Sequence, residues 1–513
     1  MKYLLILAAL FLCNPVNAAT TSTITSNGTT YTFSQPVTYG QFILGDYWIL
    51  DPGEGVTVSM SPSPTAGKDG CMVNPRSDYQ AYDSRGGYYN PALLFSSGGK
   101  IKTGDSLICA RSEITVGDDK DVLGRVVADE HSVVNAASVI TVLSSAPSST
   151  AFRPPYFGTT KPIYDYAEVD VAQFKNYTAA ASAPSHWPNK SLTLAQQYAD
   201  YFKRPWIIHG HDYLGRYIHP LDNMPNYYEY CYDIYSEAGV MINSDLPGKT
   251  EILKGLIQLG IDTKWTTNAG YGDRTVSKFP MLVAGLALND PSLYSTSYAY
   301  FKEQLQTYYG TGWQTPAPSV LWRQKVGNEH ENTHPSGWGT IAVAAGTGSK
   351  METYRRCCSS NSWTGMALAI RMMGAETAWN HTAFLDYVDR WHSERGAVDA
   401  TNTAVIQANY DSATWTTTPW DDGGSGWAES QWDTDMWDTW RDNLSGAPTP
   451  TCETNPALCA EAECQPAGWH WCDGECQADE CHVEPPPVTG KDGRFMIGGT
   501  AKIDRSGTAI ISK

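Results

Sequence analysis

Short runs of β-branched and aromatic residues, separated by Gly, Pro, Asp and Ser, recur through the first 150 residues. Examples are Thr30–Phe33, Gln41–Leu50, Val56–Val58 and Ser138–Val142. Runs of this length between turn-forming residues are typical of strands. They predict an N-terminal β-sandwich over residues 19–150. The Pro-rich residues 151–190 then predict a linker, or an extended arm laid along the next domain.

After Ser191 the apolar positions recur with a helical period. Ser191 can cap a helix that carries Leu194, Tyr198 and Phe202, and Pro225 can open another with Tyr228, Tyr232 and Tyr235 on one face. Further helices are predicted near 250–260, 280–288, 296–309, 362–373, 380–392 and 428–443. About eight helices joined by long Gly-rich loops, without a repeat of fixed length, favour a central α/α toroid over a solenoid. This incomplete α/α barrel, paired helices closed around a cleft, is predicted over residues 191–445.

Cysteines predict a third domain. Six of the 12 cysteines fall within 30 residues: Cys452, Cys459, Cys464, Cys472, Cys476 and Cys481. An even set in an exported chain predicts a small disulfide-rich module over residues 446–489, with zinc binding as the alternative. Residues 490–513 predict a short β tail of two strands. In the N-terminal domain, Cys71 and Cys109 are candidates for a bridge.

The chain of 513 residues begins with Met1-Lys2, an apolar run from Tyr3 to Leu12, and the small-residue pattern Val16-Asn17-Ala18. This order predicts a signal peptide over residues 1–18. No later apolar run approaches the roughly 20 residues that a membrane span needs. We therefore expect a secreted, periplasmic or cell-surface protein without a membrane span.

Net charge and aromatic content limit the classes of molecule that the protein is expected to bind. A formal net charge of −18 disfavours nucleic acid, whose backbone requires a basic surface. A local Arg and His cluster can still attract an anionic polysaccharide. The bias towards 18 Trp and 30 Tyr over 12 Phe suits stacking on sugars with polar tips free to hydrogen-bond, although core packing also uses these residues. The sequence predicts no oligomeric state.

The densest candidate chemistry lies between Trp322 and Arg356. Glu329 and Glu331 flank His330 and can raise its pKa and fix its tautomer, while Arg323 can pair with a substrate carboxylate. His334 and Arg355 add binding groups, and Tyr308 and Tyr309 can reach the same cleft. The alternative is a solvated loop with incidental charge.

Three further segments contribute candidates. Trp206, His209 and His211 can contact substrate, with metal binding or structural hydrogen bonding as alternatives. Tyr271 and Arg274 lie in a Gly-rich loop that permits close approach of a ligand. Residues 420–440 alternate Trp with acidic residues, which suits an aromatic platform, a calcium site or core helix packing. No cofactor is predicted, although a structural calcium or zinc ion is compatible with these patterns.

Several motifs resemble those of exported bacterial α/α-toroid polysaccharide lyases over residues 190–395. They are His209 to Tyr217, Tyr232-Asp233-Ile234-Tyr235, Phe279 to Gly285 after a Gly-rich loop, and Trp363 to Trp391 with Ala367-Leu368-Ala369, Trp379-Asn380-His381 and Asp386-Tyr387. The resemblance implies cleavage of a uronate polymer, such as alginate or glucuronan, by β-elimination. It implies Tyr or His as base and acid, with Arg, His or Asn at the substrate carboxylate.

Chemistry assigns the roles within that hypothesis. His330 would remove the C5 proton, Arg323 or Arg274 would stabilise the enolate-like state, and Tyr309 or Tyr228 would protonate the departing oxygen. Substrate binding would fall to His209, His211, Tyr271, Arg274, Glu329, His334, Trp206 and Arg355. The alternatives are a glycoside hydrolase, which needs two carboxylates across a cleft, and a non-catalytic carbohydrate-binding surface protein.

Overall fold

A computed structural model describes residues 19–65, 67–113, 132–184, 192–210, 217–220, 228–268, 278–295, 301–310, 319–323, 362–390, 392 and 430–444, and four short strands beyond them. The chain divides into two compact units, Met1–Ala457 and Leu458–Lys513.

Eight strands form one mixed sheet in the first unit. They are β1 (Ala19–Ser26), β2 (Thr29–Gln41), β3 (Tyr47–Leu50), β4 (Val56–Ser61), β5 (Cys71–Val73), β6 (Gly99–Ile101), β7 (Ser106–Ser112) and β8 (Val134–Leu143). The strand order is β5-β7-β8-β3-β2-β4-β6, with β1 on β2. The β3–β8 pair is parallel and the other pairs are antiparallel.

The prediction of a β-sandwich is wrong, because these strands form a single, nearly closed, barrel-like sheet. Strand β2 bends the sheet: its first half, at Thr30–Phe33, pairs with β4, and its last residues, Tyr39–Gln41, pair with β3. Cys71 and Ile101, from the two ends of the strand order, pack in the same core. Alternation of apolar residues predicts which face of a strand is buried but not which strands pair, so the sequence pattern suits both architectures.

The bridge between Cys71 and Cys109 is confirmed. It joins β5 to β7 at directly opposed positions, with the two Cα atoms 4.1 Å apart.

Nine described helices and one hairpin follow. The helices are α1 (Leu194–Lys203), α2 (Tyr228–Ile242), α3 (Lys249–Asn268), α4 (Phe279–Ala287), α5 (Lys302–Leu305), α6 (Trp363–Met372), α7 (Glu376–Trp379), α8 (382–390 and 392) and α9 (Gln431–Trp440). The hairpin pairs β9 (Thr307–Gly310) with β10 (Ser319–Trp322). Helix α1 begins after Thr193, which forms a capping box with Gln196.

The prediction of an α/α toroid is also wrong. Among the described helices, α2 packs against α3, α6 and α9, and α3 packs against α1 and α4. Residues 233–244 of α2 and the turn after it are buried without interruption. A toroid turns one side of its inner helices towards a cleft, whereas α2 is the centre of a solid cluster. Helical periodicity predicted the helices, but their arrangement depends on contacts between distant segments.

Residues 151–184 pack along both the sheet and the helices, and Arg153 lies at the junction. Its Nε donates to Asp46 Oδ2 at 2.6 Å, and its Nη1 and Nη2 donate to the two carboxylate oxygens of Asp262 at 3.1 and 2.5 Å. Gln258 on α3 bonds both the N–H and the C=O of Arg153. All four side chains are buried, so this junction is a desolvated ion-pair network.

The second unit contains two described hairpins. Strand β11 (His470–Cys472) pairs with β12 (Glu475–Gln477), and β13 (Ala501–Ile503) pairs with β14 (Ala509–Ile511). The second of these hairpins lies within the predicted tail of two strands over residues 490–513. The disulfide pairing predicted for residues 446–489 lies outside what the structure describes.

Among the described helices, none is both long and apolar enough to cross a lipid bilayer.

Replacing one carboxylate of the Arg153 network tests its contribution to stability. We expect Asp262→Asn to lower the free energy of unfolding by about 3–5 kcal/mol, because it leaves a buried guanidinium with one carboxylate instead of two. Chemical denaturation followed by Trp fluorescence measures this loss.

Glu251→Gln is the matched control, because it makes the same carboxylate-to-amide change on α3 in an exposed pair with Lys254. That change should cost less than about 1 kcal/mol. Equal losses in the two variants would show that the Arg153 network does not hold the junction.

Candidate functional site on the β9–β10 hairpin

Two of the predicted catalytic residues, Tyr309 and Arg323, have side chains that the structure describes, and both belong to the β9–β10 hairpin or its end. Tyr308 lies opposite Leu321, and Tyr309 lies opposite Val320. The N–H of Arg323 donates to Gln306 O at 2.9 Å, which extends the pairing by one residue. Since side chains alternate across a strand, Tyr308 and Arg323 share one face of the hairpin, and Tyr309 lies on the other.

Tyr309 lies at the solvent-exposed edge of the hairpin. Its side chain is 52 % exposed, and its hydroxyl donates a hydrogen bond to Asp386 Oδ2 on α8. Partial burial and the neighbouring Asp386 raise the pKa of Tyr309 to about 12. The phenol therefore stays protonated across the neutral range and is held in a defined direction by the carboxylate.

His381 lies beneath the same strand. Its Nε2 is 2.9 Å from Thr307 Oγ1 and 3.1 Å from the Thr307 carbonyl oxygen. Because a carbonyl only accepts hydrogen bonds, Nε2 carries the proton. Burial lowers the pKa of His381, and the nearby Lys278 lowers it further against the opposing effect of the backbone of Thr307.

Lys278 connects this cluster to the helices. Its ammonium donates to the Trp379 carbonyl and lies 4.8 Å from the centre of the Trp379 ring. The N–H of Lys278 donates to the buried carboxylate of Glu303 at 2.9 Å. Burial lowers the pKa of Lys278 to about 8, against the opposing charge of Glu303. Lys278 and Glu303 thus form a buried charged pair next to the hairpin.

Arg323 serves the opposite face. Its Nε donates to Leu305 O at 3.1 Å, and its guanidinium lies 4.3 Å from the centre of the Tyr308 ring. The sequence hypothesis expected Arg323 and Tyr309 to act on one reacting sugar. The structure does not bring these two side chains together. Strand alternation, applied to a hairpin that the sequence did not predict, accounts for the difference.

On α8, Arg390 lies one turn after Asp386. Its Nη1 donates to the carbonyl of Val320, the residue opposite Tyr309 in the hairpin. Residues four apart on a helix lie on the same side. The guanidinium of Arg390 therefore lies next to the hydrogen-bonded pair of Tyr309 and Asp386.

Trp206 and His209, predicted to bind substrate, are both buried. The Trp206 ring stacks between Phe202 and Tyr235, and its Nε1 donates to Tyr201 O at 2.6 Å. The His209 side chain is 0 % exposed. In this conformation neither ring reaches solvent, because both fill the core between the sheet and the helices.

Aromatic rings surround His209. The rings of Tyr82, Tyr156 and Phe157 lie 5.5 to 5.8 Å from its own, and Nδ1 is 3.3 Å from the Tyr156 hydroxyl. Burial lowers the pKa of His209 to about 3 and that of His219 also to about 3. Both imidazoles are therefore neutral in the folded protein.

The remaining predicted site residues are not described at the level of side chains. His211, Tyr271, Arg274, Glu329, His330, His334 and Arg355 lie outside the described residues, and for Tyr228 only its place at the start of α2 is described. Their roles stay predictions. The same holds for the Trp and acidic segment before residue 430.

Sequence reasoning from chemistry missed Asp386, His381 and Lys278 as members of this site. A usable signal was present at Asn380, which adopts φ 53° and ends α7. Asn is among the few residues that adopt this left-handed conformation readily. An Asn at position 380 therefore indicates that a helix ends there. His381 follows it directly, in the short connection to the next helix.

Within the described part of the chain, no three His, Cys, Asp or Glu side chains are grouped as metal ligands. No protein-family model, curated protein or solved structure matches this chain. Any functional assignment therefore depends on the chemistry of the hairpin itself.

The buried histidines predict a loss of stability in mild acid. Their folded-state pKa lies below the unfolded value near 6.5, so below pH 6.5 the unfolded chain binds protons that the folded chain does not. Stability is complete above about pH 6.5 and falls as the pH drops towards 3, by about 1.4 kcal/mol per pH unit for each histidine.

Denaturation midpoints between pH 7.5 and 4.5 test this effect. His209→Phe keeps an aromatic ring among Tyr82, Tyr156 and Phe157 and removes the group that binds the proton. The free energy of unfolding should then fall less steeply with decreasing pH, by the contribution of one histidine. An unchanged slope would mean that His209 is not neutral and buried as described.

Proposed function

We propose that the protein cleaves a uronate-containing polysaccharide by β-elimination, with Tyr309 as the proton donor to the departing oxygen. The exposed Tyr309 hydroxyl, hydrogen-bonded to Asp386, is the observation on which the proposal rests. Export to the cell surface or beyond is part of the same proposal.

A proton donor must keep its proton until the bond breaks. With a pKa of about 12, Tyr309 is protonated at neutral pH and cannot serve as a base there. An alkoxide that leaves a sugar is a stronger base than a phenolate, so transfer of the proton from Tyr309 to it is favourable. Asp386 holds the hydroxyl in place beforehand and disfavours its early ionisation.

Elimination also requires a cation at the substrate carboxylate, since the enolate-like state concentrates negative charge there. We assign this task to Arg390 rather than to Arg323, because Arg390 lies next to Asp386 and contacts the strand opposite Tyr309. Its Nη1 donates to the Val320 carbonyl, which anchors the guanidinium and its positive charge next to the Tyr309–Asp386 pair. The base stays assigned to His330 as a prediction from the sequence.

The Tyr309 hydroxyl can be removed with little other change. We expect Tyr309→Phe to lower kcat by about 10²–10⁴, as is usual for loss of a proton-transfer group. Absorbance near 235 nm, read while the protein acts on a panel of uronate polymers, measures elimination. New reducing ends without that absorbance would instead indicate hydrolysis and contradict the proposal.

Tyr308→Phe is the matched control, since it removes a hydroxyl from the neighbouring residue on the opposite face of the hairpin. It should leave kcat within a few-fold of the wild type. Equal rates for the Tyr308 and Tyr309 variants would remove Tyr309 from the mechanism.

A comparison of two arginines decides which cation binds the uronate. We expect Arg390→Gln to raise KM by about tenfold or more, equivalent to about 1.4 kcal/mol of binding. Arg323→Gln should change KM much less, because its guanidinium lies against Tyr308. Steady-state kinetics on one polymer measures both, and the reverse order would restore Arg323 to the site.

A further inference from the structure

Two exposed tyrosines form a pair on a loop of the β-rich region, far along the chain from the hairpin. Among the described residues, the large exposed apolar or aromatic side chains are Tyr79, Tyr88, Ile163 and Tyr309. Tyr79 and Tyr88 are 45 % and 37 % exposed, and their rings lie 5.4 Å apart at 70°. Half of this small set is therefore concentrated in one aromatic corner.

Buried hydrogen bonds hold the loop that presents the pair. Gln80, fully buried, donates from Nε2 to the carbonyls of Asp83 and Gly86 at 2.8 and 3.3 Å, and its Oε1 accepts from the N–H groups of Tyr82 and Asp83. Asp83 in turn accepts from Arg85 and Ser112. The two rings are thus supported by a network of buried hydrogen bonds, which lowers the entropy lost when a ligand binds.

Tyr88 is held in a conformation that its side chain disfavours. Its φ is 56°, in the left-handed region that bulky residues rarely adopt. Two backbone bonds impose it: Gln80 N–H donates to Tyr88 O at 3.0 Å, and Asn90 N–H donates to Gln80 O at 2.7 Å. Glycine would adopt this conformation freely, so a large exposed ring here carries a cost that folding alone does not explain.

A cation adjoins the tyrosines in the sequence of the loop. Arg76 is exposed and makes no ion pair or hydrogen bond with the described residues. The carbonyl of Pro75 accepts from Gly158 N–H at 2.8 Å, which places the start of the loop against the segment containing Lys161. In a chain with net charge −18, an exposed arginine three residues before Tyr79 in the same loop favours an anionic ligand.

We propose that Tyr79 and Tyr88 form a binding platform for an anionic oligosaccharide, on which a sugar ring stacks while Arg76 pairs with its carboxylate. Tyrosine suits this task because its ring face packs against the apolar C–H face of a sugar and its hydroxyl bonds to the sugar oxygens. The platform is separate from the hairpin, and it shares only the class of ligand with the proposed function.

Calorimetric titration in the Tyr309→Phe background tests the platform without turnover. The probes are a galacturonate hexasaccharide and the uncharged cellohexaose. We expect the uronate to bind, and Tyr79→Ala or Tyr88→Ala to weaken that binding by about tenfold or more. Arg76→Gln should remove the preference for the charged sugar. Ile163→Ala, which truncates another exposed apolar side chain, should leave the affinity unchanged.

Tyr88→Gly separates binding from folding. This change relieves the left-handed backbone, so the thermal midpoint should rise while uronate binding weakens as it does in Tyr88→Ala. The platform is overturned if the hexasaccharide does not bind the parent protein, if cellohexaose binds equally well, or if Tyr88→Ala and Ile163→Ala bind alike. Failure of elimination by the hairpin would leave these binding results intact, and Tyr88→Ala should keep wild-type turnover of short substrates if elimination occurs.

Discussion

The buried guanidinium of Arg153 is the interaction on which the arrangement of the first unit depends. It bonds Asp46 in the turn between β2 and β3 and Asp262 on α3, and so joins the sheet to the helices through one side chain. Burial opposes its charge, but the two aspartates raise the pKa of Arg153. For Asp46, burial is the larger effect and raises its pKa in spite of the guanidinium. Such a network specifies one arrangement, because any shift leaves a charge without its partner.

The helices extend from this junction towards the hairpin. Helix α3 packs on α4, which begins after Lys278, and Lys278 contacts both Trp379 and Glu303. The Thr307 hydroxyl, at the start of the strand that carries Tyr309, donates to the Glu303 carbonyl, and His381, two residues after Trp379, contacts the same threonine. The exposed pair of Tyr309 and Asp386 therefore rests on buried charges, and its geometry follows from the packing beneath it. Supported placement of this kind is what a proton-transfer group requires.

The comparison of Tyr309 with His209 shows how burial separates chemical candidates. Both are polar aromatic residues in segments rich in charge, and both suit proton transfer by composition. His209 is enclosed by three rings and stays neutral, whereas Tyr309 reaches solvent and bonds to a carboxylate. Of the two side chains, only that of Tyr309 is accessible to a polymer in solution. The β-rich region presents its own exposed aromatic corner at Tyr79 and Tyr88, so the two surfaces for which we propose contact with a sugar lie on different elements.

Local pattern in the sequence was enough to predict strands in the first 150 residues, most of the described helices after Ser191, the Cys71–Cys109 bridge, and two short strands at the C-terminal end. The helix predicted near 296–309 was wrong in its last part, because Thr307–Gly310 form a strand. These features depend on the period of apolar side chains and on residue chemistry, which neighbouring positions determine. The closure of the sheet, the solid packing around α2, the opposite faces of Tyr309 and Arg323, and the burial of Trp206 and His209 were decided only by the tertiary structure. They depend on which distant segments pair, and a period of apolar residues gives the face that is buried without naming the partner that covers it.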